Sequence, residues 1–587
     1  MAIKGDNKQI VSGKNQKYFG SDLIAFALRE LDIPYACLNP GASYRGLHDS
    51  IVNFLGNERP QMVINLHEEH SISMAHGYAK ITGKPLIAIV HSNVGLMHAT
   101  MAIFNSWIDR HPMIIIGATG PLNAVDRRPF IDWIHTSQDQ GSLIRDYIKW
   151  DDQPGSPEAA VEAIRKGYQI ACTPPYGPVY ICLDAGIQEM ELKNWPDYEE
   201  ITRYRSPPPP GPPSDILNSA AELLISAKNP LILCGRMARS KRAWDDRIIL
   251  AEKLGAKTIT NTWQEIGFPT DHPLHVGMTG FFVRDEVRKV HRQADVVLSL
   301  DWFDLGGTLK DAWDGGMVEA KVISCSMDFH QHRGWNKDYG GLPPVDIHIP
   351  TVPEAFISDL LPLIASIKPK KNYVIKSKPR AELPKNGPIG VHEFARAYRN
   401  AAQGFKVCLI SHTIGWPSEE SEFNHHLGCL ANAGGGGLGA GPGNAVGAAL
   451  ALRDVHDGYV PVAILGDGDY LMGVQALWTA AHENIPLLII VSNNKSYFND
   501  EMHQEAIAKK RGRPTENRWI GQRIDNPEID ICALAKAQGL DSIGPVSDMN
   551  NLPEAIEEGL KKAQEGATLV MDVRIKPGYA ASPVHER

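Results

Sequence analysis

The stretch 464–494, ILGDGDYLMGVQALWTAAHENIPLLIIVSNN, constrains this chain more than any other. An apolar run ends in Gly466-Asp467-Gly468, where a buried strand is predicted to stop at a tight turn. A helical pattern follows over 471–483, then a second apolar run over 485–491 that ends in Asn493-Asn494. Strand, helix, strand is a βαβ unit, and the ends of its two parallel strands meet at one edge of the sheet. That geometry brings Asp467 and Asn494 together across 27 positions. A carboxylate and an amide oxygen suit a hard cation such as Mg²⁺, and glycines let the backbone approach a phosphate. GDG alone marks a turn; GDG, a helical spacer and NN together mark a site.

A chain of 587 residues is too long for one core, so three to four domains are expected. The pattern supports an α/β fold of three doubly wound parallel-sheet domains. The first, 18–190, alternates helical patterns with apolar runs at 35–38, 61–66, 86–90, 113–116 and 179–182. Proline density over 206–214 admits neither sheet donation nor helix, and predicts a stiff linker. The second domain, 215–365, has strand-like runs at 230–234, 257–260, 296–300 and 321–325. A Lys- and Pro-rich linker over 367–389 leads to the third domain, 390–576. A net charge of −9 offers no basic footprint, so nucleic acid is not an expected partner. No apolar run approaches the roughly 18 residues that span a bilayer, so no membrane partner is expected. The first seventeen residues are polar and lack a secretory core, and eight cysteines occur without CxxC. Reduced thiols and a cytoplasmic location are the expectation.

With this organisation, 464–494 resembles the cofactor motif of thiamine-diphosphate-dependent enzymes of the acetolactate synthase, pyruvate decarboxylase and benzoylformate decarboxylase superfamily. The resemblance implies that Asp467, the Asn494 side chain and the Ser496 carbonyl hold Mg²⁺ on the diphosphate, beside Gly466, Gly468 and Asp469. Asp469 departs from the family, where serine is common; its carboxylate is expected to point away and its backbone N–H to serve. In the first domain, Leu66-His67-Glu68-Glu69-His70 precedes Gly77-Tyr78-Ala79 at the family's spacing. That register implies that Glu68 hydrogen-bonds N1′ of the aminopyrimidine and activates the cofactor. The Gly434–Gly443 run, in register with Ala445-Val446-Gly447, looks like the loop that bends the cofactor over Leu438, with the Gly436 carbonyl accepting from it. Ser411, His412 and Thr413 occupy the place of diphosphate donors.

Residues with proton-transfer or recognition roles follow from the same resemblance. His91-Ser92-Asn93, followed by Asn105-Ser106-Trp107, is similar to benzoylformate decarboxylase, which implies that His91 shuttles protons; an ordinary imidazole both takes and gives one near neutrality. His272 in Phe268-Pro-Thr-Asp-His272-Pro273 stands where that enzyme has a second histidine. The Asn39-Pro40-Gly41-Ala42-Ser43 loop places either Ala42 or Ser43 at the substrate carboxylate. His98 replaces a small polar residue and is expected to narrow the pocket. Tyr497 or Phe498 is expected near the substrate, in a 495–519 lid. The run Asp301–Thr308 lacks the arginines of FAD-binding relatives, so no FAD is expected; His330 and His332 read as surface histidines.

The implied activity is that of a thiamine-diphosphate- and Mg²⁺-dependent lyase on a small carbonyl substrate, a non-oxidative 2-oxo acid decarboxylase of benzoylformate type. An alternative is a carboligase or C–C bond lyase or hydrolase acting on acyloins or 1,2-diketones, with His67, His70, His76 and His98 serving it. A cofactor-binding regulatory subunit without turnover is the rival of another class. The family's shared sites imply a homodimer or homotetramer.

Overall fold

In the computed structural model, residues 17–280, 283–330, 341–369, 371–375, 377–432, 434–455 and 458–579 are described. The polar segment 1–16, His332 and the His330 side chain lie outside them. The described residues form nineteen strands, β1 to β19 in chain order. A two-residue ribbon, β1 (Tyr18–Phe19) against β8 (Glu191–Leu192), closes the first unit antiparallel. Its sheet comprises β2 (Tyr35–Leu38), β3 (Gln61–Ile64), β4 (Ile87–Ile89), β5 (Met113–Thr119), β6 (Trp150–Asp152) and β7 (Pro178–Asp184). They lie in the order β3-β2-β4-β5-β7-β6. The middle sheet holds β9 (Pro230–Cys234), β10 (Lys257–Asn261), β11 (His275–Thr279), β12 (Val296–Leu300), β13 (Lys321–Cys325) and β14 (Ile347–Ile349), ordered β11-β10-β9-β12-β13-β14. The last holds β15 (Val407–Ser411), β16 (Val460–Gly466), β17 (Leu487–Asn493), β18 (Asp541–Val546) and β19 (Thr568–Arg574), ordered β15-β16-β17-β19-β18. Within these three sheets every pairing is parallel, as in the family of doubly wound α/β folds.

The central strands β5, β7, β16 and β17 are almost wholly buried, which is why they read as continuous apolar runs. Strands β6, β11 and β14, which the apolar pattern misses, are all sheet edges with half-exposed residues. The helical stretch after β16 also differs from expectation. It begins at Asp467 itself and splits into Asp467–Gly473 and Ala476–His482. Gly473 lies at the break, where a β-carbon would stand 2.1 Å from the Gly439 carbonyl oxygen. A side chain cannot occupy that space, so the helix yields there to the loop that contains Leu438.

One apolar core runs through the first and last sheets together. Its central contact is the helix Glu68–Thr82 against the helix Ala440–Val455. Gly77 and Gly447 permit the approach: a β-carbon on either would fall about 2 Å from a backbone oxygen of the other helix, Asn444 O at 2.1 Å and Met74 O at 1.9 Å. The glycine of the GYA sequence is therefore a packing device. The middle sheet packs its own core and docks through Phe268–Pro273. There Thr270 N donates to Phe423 O at 2.9 Å, Phe423 N donates to Thr270 Oγ1 at 2.8 Å, and Ile266 N donates to Cys429 O at 3.0 Å.

Candidate functional site

At the carboxyl ends of β15, β16 and β17 lies a cavity of about 320 Å³, where loops of an open parallel sheet gather. Asp467 opens the helix after β16, is 4 % exposed, and its Oδ2 accepts from Ser496 N at 3.1 Å. Asn494 Oδ1 accepts from the same N–H at 3.0 Å, so the fold brings the three expected residues to one point. Burial pushes the Asp467 carboxyl up to about 6; backbone N–H groups of Gly468 and Ser496 oppose the shift, and no lysine or arginine pairs with it among the described residues. A buried carboxylate with no basic side chain paired to it, beside an amide oxygen, has the donor chemistry of a hard divalent ion. The residues present therefore fit Mg²⁺.

Glycine backbone forms part of the remaining wall. Gly436 (φ 68°) and Gly439 (φ 94°) adopt left-handed turns that present Leu438, which is 39 % exposed. Asp469 does not line up with Asp467: its Oδ1 turns to the loop, accepting from Gly439 N at 2.6 Å and Gly441 N at 3.4 Å. It thereby ties the Leu438 loop to the helix below, while burial pushes its carboxyl up to about 6. Ser411, His412 and Thr413 line the opposite side; Ser411 Oγ donates to Asn432 Oδ1 at 2.8 Å and His412 N to the same atom at 3.3 Å. Tyr497 lies with its ring edge against Gly468, where a β-carbon would stand 2.5 Å from Cε1. Within the 495–519 segment a helix, Phe498–Lys510, is rooted by Glu501, which is buried and pairs with Arg518 and Arg523. Phe498 packs edge-on against Tyr579, and both line the cavity.

A second set of residues gathers in the first domain. Glu68 begins its helix after the N-cap His67, whose Nδ1 accepts from Glu69 N at 3.2 Å. Glu68 is 6 % exposed and lies against Gly95, with His98 Nδ1 at 3.0 Å from its Oε2. His91 Nδ1 is 2.8 Å from Ser43 Oγ; burial and nearby His135 lower its affinity for a proton, and Glu68 raises it. Gly41 passes directly over the His91 ring, where no β-carbon would fit. Ser43 is buried and Ala42 exposed, so Ser43 is the residue of that loop facing His91.

Several expectations require correction. His272 does not reach the cavity: it is buried, its Nε2 lies 3.2 Å from Glu252 Oε1 and its Nδ1 accepts from Leu274 N at 3.1 Å. Both of its ring nitrogens are thus engaged within the middle domain. His70 and His76 are buried in helix packing, where desolvation lowers each to about 4, and His76 faces Asp109. Asn432, Lys80 and His135 were not singled out by the sequence. Lys80 is buried and donates to Asp109 and to the Ala431 and Asn432 carbonyls; His135 lies 4.7 Å from His91, ring to ring. Only the position of Lys80 directly after Gly77-Tyr78-Ala79 gave a signal; the other two stand in no recurring pattern.

Glu68 is not among the residues of the Asp467 cavity. Its neighbour Glu69 faces that side, near Gly439 and Asp469, whose charge adds to burial in raising the Glu69 carboxyl. Glu68 and Asp467 therefore belong to separate clusters of the chain.

Three family models match the chain. They are described as the thiamine pyrophosphate enzyme N-terminal TPP binding domain (residues 19–143), central domain (217–331) and C-terminal TPP binding domain (412–572). A probable acetolactate synthase large subunit of Methanocaldococcus jannaschii is 24% identical, covering 88% of this chain and 86% of its own length. Benzoylformate decarboxylase of Pseudomonas aeruginosa is 23% identical, covering 85% and 89%. Among solved structures, benzoylformate decarboxylase from Polynucleobacter necessarius superposes with a TM-score of 0.78 at 20% identity, over 96% of this chain and 99% of the other. The Rhodococcus jostii 4-hydroxybenzoylformate decarboxylase gives 0.76 at 22% identity, over 96% and 100%.

Proposed function

Because the chain belongs to the thiamine pyrophosphate enzyme family, we propose that it is a Mg²⁺-dependent lyase of that family, a non-oxidative 2-oxo acid decarboxylase of benzoylformate decarboxylase type. The observation that carries this reading is the Ser43–His91 pair beside Glu68. When bound, thiamine diphosphate supplies a carbon nucleophile that adds to a carbonyl and accepts the electrons left by the departing group. Asp467, Asn494 and the Ser496 carbonyl would hold Mg²⁺, Ser411, His412 and Thr413 would meet the diphosphate, and Leu438 and Gly436 would face the rings. Glu68 would meet the pyrimidine of the bound cofactor through a carboxyl oxygen, where it can hold or give a proton. Ser43 fixes His91 through Nδ1, which directs Nε2 to the substrate side, where it delivers and removes a proton.

The two half-sites are completed by a second copy of the chain. Leu66, Met97, Leu438 and Met472 are all exposed apolar residues near one half-site or the other, as an interface requires. A homodimer or homotetramer follows. A second reading, carboligation or C–C cleavage of an acyloin or 1,2-diketone, is favoured by the histidines His67, His98 and His135 around Glu68 and His91. Purified protein given the cofactor, Mg²⁺ and either benzoylformate, pyruvate or a diketone separates the two. CO₂ release from an oxo acid is the expected outcome; chain scission without CO₂ establishes the second reading. Glu68→Gln is expected to lower turnover by about 10²-fold or more. No turnover with any carbonyl substrate would leave a cofactor-binding subunit.

A further inference from the structure

The carboxylate of Glu68 is held from two directions by one face of the helix Ser92–Asp109. Gly95 lets it lie on the helix backbone, with Oε1 3.1 Å from where a β-carbon would be. One turn on, His98 Nδ1 meets Oε2 at 3.0 Å. The His98 ring is itself held, stacked on His67 at 4.9 Å and 19°. His67 is fixed in turn as the N-cap of the helix that begins with Glu68. The other titratable groups facing the carboxylate are His91 and Tyr44, and neither hydrogen-bonds it.

Ligand atoms of His67, Glu68 and His98 lie within 4.8 Å of one another, but this arrangement does not describe a cation site. Two rings stacked face to face cannot both aim their nitrogens at one ion, and His67 Nδ1 already accepts the Glu69 N–H. The arrangement instead clamps the acid.

We propose that His98 is a positioning residue: Gly95 and the Nδ1 of His98 fix the Glu68 carboxylate in the rotamer that presents Oε1 to the aminopyrimidine. This rests on the functional reading above. Without His98, a buried carboxylate on a freely rotating side chain spends less time in the productive geometry, although the Mg²⁺ and diphosphate contacts are untouched. Cofactor affinity and cofactor activation therefore separate.

The test compares His98→Ala, His98→Asn and His98→Gln with Glu68→Gln in the full-length enzyme. Thiamine diphosphate affinity is measured by calorimetry, and C2 proton exchange of the bound cofactor by deuterium incorporation. His98→Ala is expected to slow exchange about tenfold or more with the dissociation constant within about threefold of wild type. His98→Asn, whose amide donor falls where Nδ1 stands, restores exchange; His98→Gln, one bond longer, does not. If Ala fails to fold, the Asn–Gln difference decides. Exchange at the wild-type rate in His98→Ala, or equal losses in Asn and Gln, overturns the proposal. If Glu68→Gln itself binds the cofactor and exchanges normally, the functional reading falls with it.

Discussion

Asp467 and Asp469 stand two positions apart, and the chain gives them opposite tasks by rotating one away. Asp467 shares the Ser496 N–H with Asn494 at the cavity, whereas Asp469 caps the loop that presents Leu438. Asp467→Asn removes the charge that a divalent ion needs and is expected to weaken Mg²⁺-dependent cofactor binding by about tenfold or more, read by calorimetry. Asp469→Asn keeps an oxygen for Gly439 N and should leave Mg²⁺ dependence in place. His272 belongs to a different category. Its two nitrogens serve Glu252 and Leu274 N, so His272→Ala should cost about 2 kcal/mol of stability through the groups it strands, with kcat little changed. Thermal unfolding beside steady-state kinetics would show that separation.

Elements position these residues through close approach. The helix that begins with Glu68 lies on the helix Ala440–Val455 at Gly77 and Gly447, with no room for a methyl group at either. Gly77→Ala or Gly447→Ala must part the helices, at a cost of about 1–3 kcal/mol or more, visible as a lower denaturant midpoint. Because Gly439 and the Leu438 loop lead into the second helix, the same substitutions should also weaken cofactor binding. Near this contact, Lys80 ties Asp109 to the carbonyls of Ala431 and Asn432, and Asp109 accepts from Gly434 N at 2.9 Å. Both ends of the glycine loop are therefore fixed by residues of other elements.

For the whole molecule, acid is a specific threat. His70 and His76 are 2 % and 0 % exposed, and burial lowers both to about 4. The unfolded chain takes up these protons below the ordinary imidazole value near 6.5, while the folded one resists until about 4. Stability is thus complete above pH 6.5 and is lost as pH falls towards 4, by up to several kcal/mol for the two together. Unfolding midpoints across that range check the sign. At the largest scale, the exposed Met97 beside His98 lies on the face assigned to the partner copy. Met97→Glu is expected to shift the sedimentation profile towards monomer and to lower activity in proportion, most strongly in dilute protein.

What was legible in the sequence was local or periodic. Buried parallel strands read as apolar runs because both faces are covered, and the 27-position spacing of Asp467 and Asn494 reflects one βαβ crossover. Gly77 and Gly436 entered through the family's spacing, although their reasons (a helix contact, a left-handed turn) appeared only in three dimensions. Tertiary structure alone decided side-chain direction and partnership. It turned Asp469 to the glycine loop, closed both nitrogens of His272, set Ser43 rather than Ala42 on His91, and laid His98 on Glu68. The physical reason is that period and composition fix which face of an element is buried, whereas a hydrogen bond depends on atoms brought within 3 Å by distant segments.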